Sequence, residues 1–231
     1  GFHPKPEMMF GPALGLGIST LDEYVDVKLA MDVDPETLCT SLQPGAPEGL
    51  VFVKSARLGP NDPAVSKIVD TTEYVAAVPW SVLRERGLSD VAAVQAAIDA
   101  KREGELSVRR NVEGLGKKID VGSYLVRIAA GEGQDALDRA GFAGDLLPVR
   151  FATKVTPAGA CKPSEVFAAI FDEQLPVRFV RTAQGRTLPE GGLVTPMDLA
   201  RLEVVRPAKP VKAAAVPLVP SLDEPVPPSE A

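Results

Sequence analysis

The chain has 231 residues, enough for one large or two small domains with a real core, and at 45% hydrophobic and 24% charged its composition is ordinary for a soluble globular protein. Its net charge of -6 argues against indiscriminate coating of nucleic acid. No apolar run approaches the roughly 18 residues of a membrane helix, and no signal-peptide pattern opens the chain.

Charge is uneven along the sequence. Residues 1 to 100 hold 7 Lys/Arg against 14 Asp/Glu, whereas residues 101 to 127 hold 7 against 4 and residues 147 to 187 hold 6 against 3. A local basic face on an acidic protein is therefore expected, with solvated surface as the plainer alternative. Cys39 and Cys161 stand far apart with no CxxC or His spacing. They read as small buried hydrophobes in a reducing cytoplasm.

The chain opens on Gly1-Phe2-His3-Pro4-Lys5-Pro6, a turn that holds the sole histidine, followed by the Gly-rich run Pro12 to Gly17. Residues 7 to 12 and 23 to 31 read as strands. In the second, Val25, Val27 and Leu29 alternate with Tyr24, Asp26 and Lys28, which predicts one aliphatic face. Asp34-Pro35 starts a helix with Leu38, Cys39 and Leu42 as its buried stripe, and Pro44-Gly45 stops it. Leu50 to Ala56, rich in Val and Phe, predicts a third strand.

Asp62-Pro63 caps a short helix, and Thr71 to Val78 reads as a strand. Pro79 opens a helix through Trp80 to Gly87. Ser89 caps another, carrying Val91, Val94 and Ile98 at helical spacing. Glu105 to Arg109 predicts a strand, Gly114 to Gly116 a turn, and Tyr124 to Ala129 a short apolar segment of either type. Leu146 to Val155 reads as a strand, Pro163 to Phe171 as a helix burying Val166, Phe167 and Ile170, and Val177 to Thr182 as the last strand. Thr195 to Val205 carries one more short helical pattern. Residues 206 to 231, rich in Pro, Ala and Val, bury too little apolar surface to offset ordering entropy and are expected to be a disordered tail.

Several residues are chemically suited to a site. His3 titrates near neutrality and can stack on a base or touch phosphate, but it has no metal partner at ligand spacing and no placeable nucleophile. Arg109-Arg110 and Lys117-Lys118 flank a Gly-rich turn and offer planar forks and point charges to phosphate. Lys162 projects at the mouth of the helix begun by Pro163, where backbone N-H groups favour an anion. Arg181 ends the last strand, at an edge where an arginine is often simply surface. The alternative for each is a structural or solvated role. There is no CxxxCxxC, Walker or zinc pattern, and the Gly11 to Gly17 run fails as a dinucleotide fingerprint because a strand follows it.

Six segments resemble one family. Gly1 to Pro6, Pro12 to Gly17 and Glu23-Tyr24 with Asp26 are similar to the opening of the radical SAM-linked domain family. Lys117 to Val121, Gly159 to Pro163 and Arg181-Thr182 are similar to its later motifs. The resemblance covers residues 1 to about 187. It implies a strand and helix ahead of Gly1, so that the chain is a portion of a longer polypeptide or a fusion. It also implies tandem ferredoxin-like (βαββαβ) units of α+β class, the first lacking its opening strand and helix. The expected divisions are residues 1–58, 59–187, a short helical segment 188–205 and the tail 206–231.

The resemblance further implies an accessory domain that docks substrate, most plausibly tRNA or rRNA, for a radical SAM protein, separate or fused. The iron-sulfur cluster, S-adenosylmethionine and cobalamin would reside in that partner and none in this chain. His3, Lys5, Arg109, Arg110, Lys117, Lys118, Lys162 and Arg181 are the expected substrate-binding residues, none catalytic. A protein-protein scaffold for the same partner, with the acidic first half as its interface, is the alternative, and an enzyme using His3 a third.

Overall fold

The computed structural model describes residues 7–59, 61–112, 114–189 and 192–203. The turn with His3 and Lys5 and the expected tail lie outside them. Its long strands are the β-branched runs of the second half: β4 (Thr71–Pro79), β7 (Leu125–Ala130), β8 (Leu146–Thr156) and β10 (Arg178–Thr187). β4 pairs antiparallel with both β8 and β10, and β8 with β7 and with the short β9 (Gly159–Ala160). In space the fourth of the long strands lies beside the first, then the third, then the second. With a helix in each crossover, this is the split βαβ order expected of the second unit.

The crossover helices are α4 (Val91–Arg102) and α6 (Pro163–Phe171). The cap of α4 is Asp90, one residue later than expected, and its carboxylate accepts from the Ala93 backbone N-H at 2.8 Å. Both helices cover one sheet face, where Tyr74, Ala76, Val78 and Phe151 meet Val94, Ile98, Val166, Phe167 and Ile170. The Phe151 ring lies 5.4 Å from Tyr74, 5.6 Å from Phe167 and 6.2 Å from Phe179. This aromatic cluster is the centre of the core. A short helix, α3 (Trp80–Arg84), follows β4 as Pro79 predicted.

The opposite face is covered by α5 (Gln134–Arg139), which sequence periodicity did not reveal because it is only six residues long. Ala136 and Leu137 pack there on Val75, Ala77 and Val180. Gly133, at φ 104°, begins this helix against the sheet, and a Cβ there would collide with the Val75 side chain. Between α4 and β7 a two-stranded hairpin projects, β5 (Ser107–Val112) with β6 (Leu115–Asp120). Its Ile119 is buried in the main core, with Val108 packed against that cluster.

Residues 7–59 are built differently. β1 (Met8–Phe10) and β3 (Val25–Val27) form an antiparallel ribbon, and β2 (Ser19–Thr20) runs parallel to β10. The α1 helix (Pro35–Leu42) starts as predicted, the Asp34 carboxylate accepting from the Thr37 N-H at 3.0 Å. The aliphatic face of β3 does not turn inward, however. Val25, Val27 and Leu29 are exposed, while Asp26, on the polar face, accepts from the Val65 N-H at the start of α2 (Val65–Ile68). Alternation fixes which residues share a face, and neighbouring elements decide which face is buried.

Leu50 to Ala56 forms no strand, a correction to the predicted third strand of the first unit. The segment is held instead by the Gln43 side chain, in the turn after α1, and by its own Ser55 side chain on the α1 backbone. Gln43 Oε1 accepts from the Phe52 N-H at 2.9 Å, Gln43 Nε2 donates to the Leu50 carbonyl at 3.1 Å, and Ser55 donates to the Pro35 carbonyl. A β-prone run without a ladder partner has no reason to become a strand. The mixed α+β class is observed, and the tandem arrangement is not confirmed, because the described residues form only one four-stranded unit. Beyond β10 the chain adds β11 (Leu193–Val194) beside it and then α7 (Pro196–Glu203). No helix among the described residues is long and apolar enough to cross a membrane.

Candidate functional site: the cleft between hairpin and helix

Pro163 fixes the first turn of α6, and the Glu165 carboxylate accepts from the Lys162 backbone N-H at 2.8 Å, so the helix mouth is tied to the residue before it. The same carboxylate receives a bidentate pair from β5: Arg110 Nε donates to Glu165 Oε1 at 2.7 Å and Nη2 to Oε2 at 2.6 Å. Arg110 Nη2 also donates to the Ala160 carbonyl at 3.1 Å. Burial pushes the Glu165 carboxyl up, but the guanidinium and the Lys162 N-H outweigh that and hold it below the usual carboxylate range. Burial raises the neighbouring Cys161 thiol to about 12.

This lock fixes the hairpin against α6 and leaves a cleft of about 490 Å³ between them, lined by Arg109, Lys162, Ser107, Ser164, Asp172 and Glu173 among others. Its acids are already neutralised. Asp172 pairs with Lys101 at 2.7 Å, Glu173 with Arg86, and Glu165 with Arg110. Arg109 and Lys162, by contrast, make no ion pair among the described residues. In the hairpin register Arg109 stands opposite Lys118 and Arg110 opposite Lys117, so the two basic pairs lie on the two faces of the ribbon. Lys118 pairs with Glu105, but both side chains are largely exposed and the pair exchanges readily with solvent or ligand. Lys117 is exposed and unpaired among the described residues.

Of the expected site residues, Arg109, Arg110 and Lys162 border one cleft, with Arg110 and Lys117 on the ribbon face toward α6 and Arg109 and Lys118 on the other. Arg110 is committed to Glu165 and acts as the strut of the site. Arg181 lies elsewhere and is not at an exposed edge. It is 1% exposed, with β4 on one side and β2 on the other. Its Nη1 donates to the Pro12 carbonyl and Glu23 Oε1, each at 2.9 Å, and its Nη2 to the Ala13 carbonyl at 2.9 Å and Tyr74 Oη at 3.3 Å.

Arg181 therefore clamps the Gly-rich segment onto the sheet, next to a polar junction the sequence did not announce. There Gln184, fully buried, donates from Nε2 to the Asp22 carbonyl at 2.7 Å, and its N-H donates to the Asp22 carboxylate at 2.9 Å. Burial raises the Asp22 carboxyl, and burial together with the bond to Asp22 raises the Tyr24 phenol above its ordinary value. The only sequence hint was the Asp22-Glu23-Tyr24 run beside a Gly-rich loop. No cluster of three or more His, Cys, Asp or Glu suited to a metal occurs among the described residues.

A family model described as an uncharacterized protein conserved in bacteria, DUF2344, matches residues 1–150. The chain belongs to this family. No curated protein and no solved structure matches it. The part of this DUF2344 chain that the model matches includes the hairpin with Arg109, Arg110, Lys117 and Lys118. Lys162, Glu165 and Arg181 lie beyond it, so the cleft spans the limit of the match.

Proposed function

We propose that the chain is a non-catalytic substrate-docking domain that holds an RNA, tRNA or rRNA, on the hairpin and the adjoining cleft for a radical SAM partner. The observation that carries this reading is the charge pairing around the cleft: its carboxylates are satisfied from within, while Arg109, Lys117 and Lys162 are left unpaired among the described residues and Lys118 is only loosely held. Unpaired, exposed cations on a rigid scaffold suit a phosphate backbone. The radical SAM partner comes from the likeness of Gly1 to Gly17 and Gly159 to Pro163 to that family's motifs, and with it the cytoplasm as compartment. Cluster, S-adenosylmethionine and cobalamin belong, in this reading, to the partner.

Full-chain protein titrated with tRNA and rRNA fragments is the test. With about three phosphates engaged, affinity should fall roughly 20-fold between about 50 and 200 mM salt. The Arg109→Glu/Lys117→Glu/Lys162→Glu variant should lose binding without loss of stability. Absence of binding at the lower salt would sink the proposal.

The second reading, a protein-protein scaffold, is favoured by the many large apolar side chains exposed in residues 8–58. Capture of the radical SAM partner, insensitive to salt and to the charge variant, would mark it.

A further inference from the structure

The β5–β6 hairpin carries more than its cations. Leu115, Lys117 and Ile119 alternate onto one face of β6, which the register shows they share with Val108 and Arg110 of β5. At the root of this face Ile119 is buried in the main core, with Val108 packed on the same cluster. Midway, the Arg110 fork holds Glu165 of α6. Past that strut the ribbon stands clear of the body, and Leu115 exposes 77% of its surface. A face rooted in the core at one end thus finishes, at the other, in a large aliphatic side chain in solvent.

The tip is slender and braced. Leu115 stands between Gly114 and Gly116, and a Cβ added at either glycine would meet nothing within 4 Å. Gly114, at φ 84°, takes the left-handed position of the turn, and its N-H donates to Asn111 Oδ1 at 2.9 Å. By sequence the same turn holds Glu113 and no cation, so the tip does not suit a phosphate. The cations stand behind Leu115 and on both faces, Lys117 on the side of α6 and Arg109 with Lys118 on the other. A single RNA strand passing the ribbon meets one of these faces. Two strands that part around it meet both, and the apolar tip then reaches the base pair from which they part.

Resting on the reading that the chain docks RNA, we infer that its substrate is a forked RNA, a helix opening into two unpaired strands, and that the hairpin is the wedge between them. Leu115 packs on the last base pair of the stem, while Lys117 faces one diverging strand and Arg109 and Lys118 the other. A fork is favoured over an intact helix because its strands are already apart, whereas opening a stacked step costs energy that one leucine does not offset. A wedge must also hold its direction when loaded, and the bidentate Arg110–Glu165 lock supplies that bracing.

The test uses the full chain and RNAs of matched length: a forked duplex with a fluorescent purine analogue in the last pair of its stem, a fully paired duplex, and a single strand. The native protein should bind the fork about tenfold tighter than either of the others and brighten the analogue as its stacking changes. Leu115→Ala, at an exposed position that leaves the core intact, should lose the preference and the brightening while keeping its affinity for the paired duplex and the salt dependence. Arg109→Glu/Lys117→Glu/Lys162→Glu should lose binding to all of them. A Leu115→Ala protein that keeps preference and brightening overturns the wedge and leaves RNA docking standing, as does a native protein that prefers the single strand or the paired duplex. Binding to none of the RNAs at about 50 mM salt overturns the docking reading and the wedge with it.

Discussion

The two regions of this chain solve the same problem in opposite ways. Residues 71–187 bury aliphatic and aromatic side chains on both faces of the main sheet and expose polar residues. Residues 7–59 expose Met8, Phe10, Val25, Val27, Met31 and Val53, and attach to that sheet through two apolar anchors, Ile18 and Leu21, one on each cluster, and through polar contacts: the Arg181 clamp, the Gln184–Asp22 pair, and the ladder from β2 to β10. Stability in the first case is set by extensive packing, in the second by a few directed bonds and two apolar anchors at one junction. A region held in this way keeps apolar surface free for another chain or segment.

The sharpest way to break the contrast is to cut matching side chains from the two regions. Phe151→Ala empties the centre of the aromatic cluster and should cost about 4 kcal/mol, read by denaturant unfolding of the full chain. Phe10→Ser, at a position 62% exposed, should change stability by less than about 0.5 kcal/mol. A large cost at Phe10 would show that the first region has a packed core of its own.

Next in size is Arg181→Ala. It leaves the Pro12 and Ala13 carbonyls and Glu23 without their donor, and removal of one member of a buried pair typically costs about 3 kcal/mol. Glu23 is 37% exposed and can rehydrate, so about 2 kcal/mol is expected. Hydrogen exchange should show residues 18–24 losing protection while β4 and β8 keep theirs. Equal loss in both would mean that the clamp supports the whole sheet.

The smallest effect concerns the strut of the basic cleft. Glu165 is held below its ordinary range in the folded state, so its contribution is present above the unfolded value of about 4.3 and is lost as pH falls through the lower folded value. The native protein should therefore lose thermal stability more steeply below about pH 4.5 than Glu165→Gln does. Parallel pH profiles would show that Glu165 and Arg110 are not coupled in solution.

Much of the sheet and helix content was legible in local chemistry. Pro163 with the apolar spacing of Val166, Phe167 and Ile170 gave α6 its observed bounds, Asp34-Pro35 gave the start of α1, and the β-branched runs at 71 and 146 gave β4 and β8. The clustering of the basic residues around the candidate site was legible too, because charge clustering is a property of sequence. Their division of labour was not. Arg109 and Arg110 are neighbours with the same chemistry, and only the approach of α6 makes one a strut and leaves the other unpaired.

What the sequence determined by itself is whatever depends on residues within a turn or two of each other: period, caps, turns and local charge. What only the tertiary structure decided depends on partners distant in the chain. The strand predicted at 50–56 had no ladder to join. The aliphatic face of β3 had nothing to cover it among the described residues. Arg181 found Glu23 and the carbonyls of Pro12 and Ala13 across the fold. Burial and pairing are properties of two surfaces meeting, and a single segment encodes only one of them.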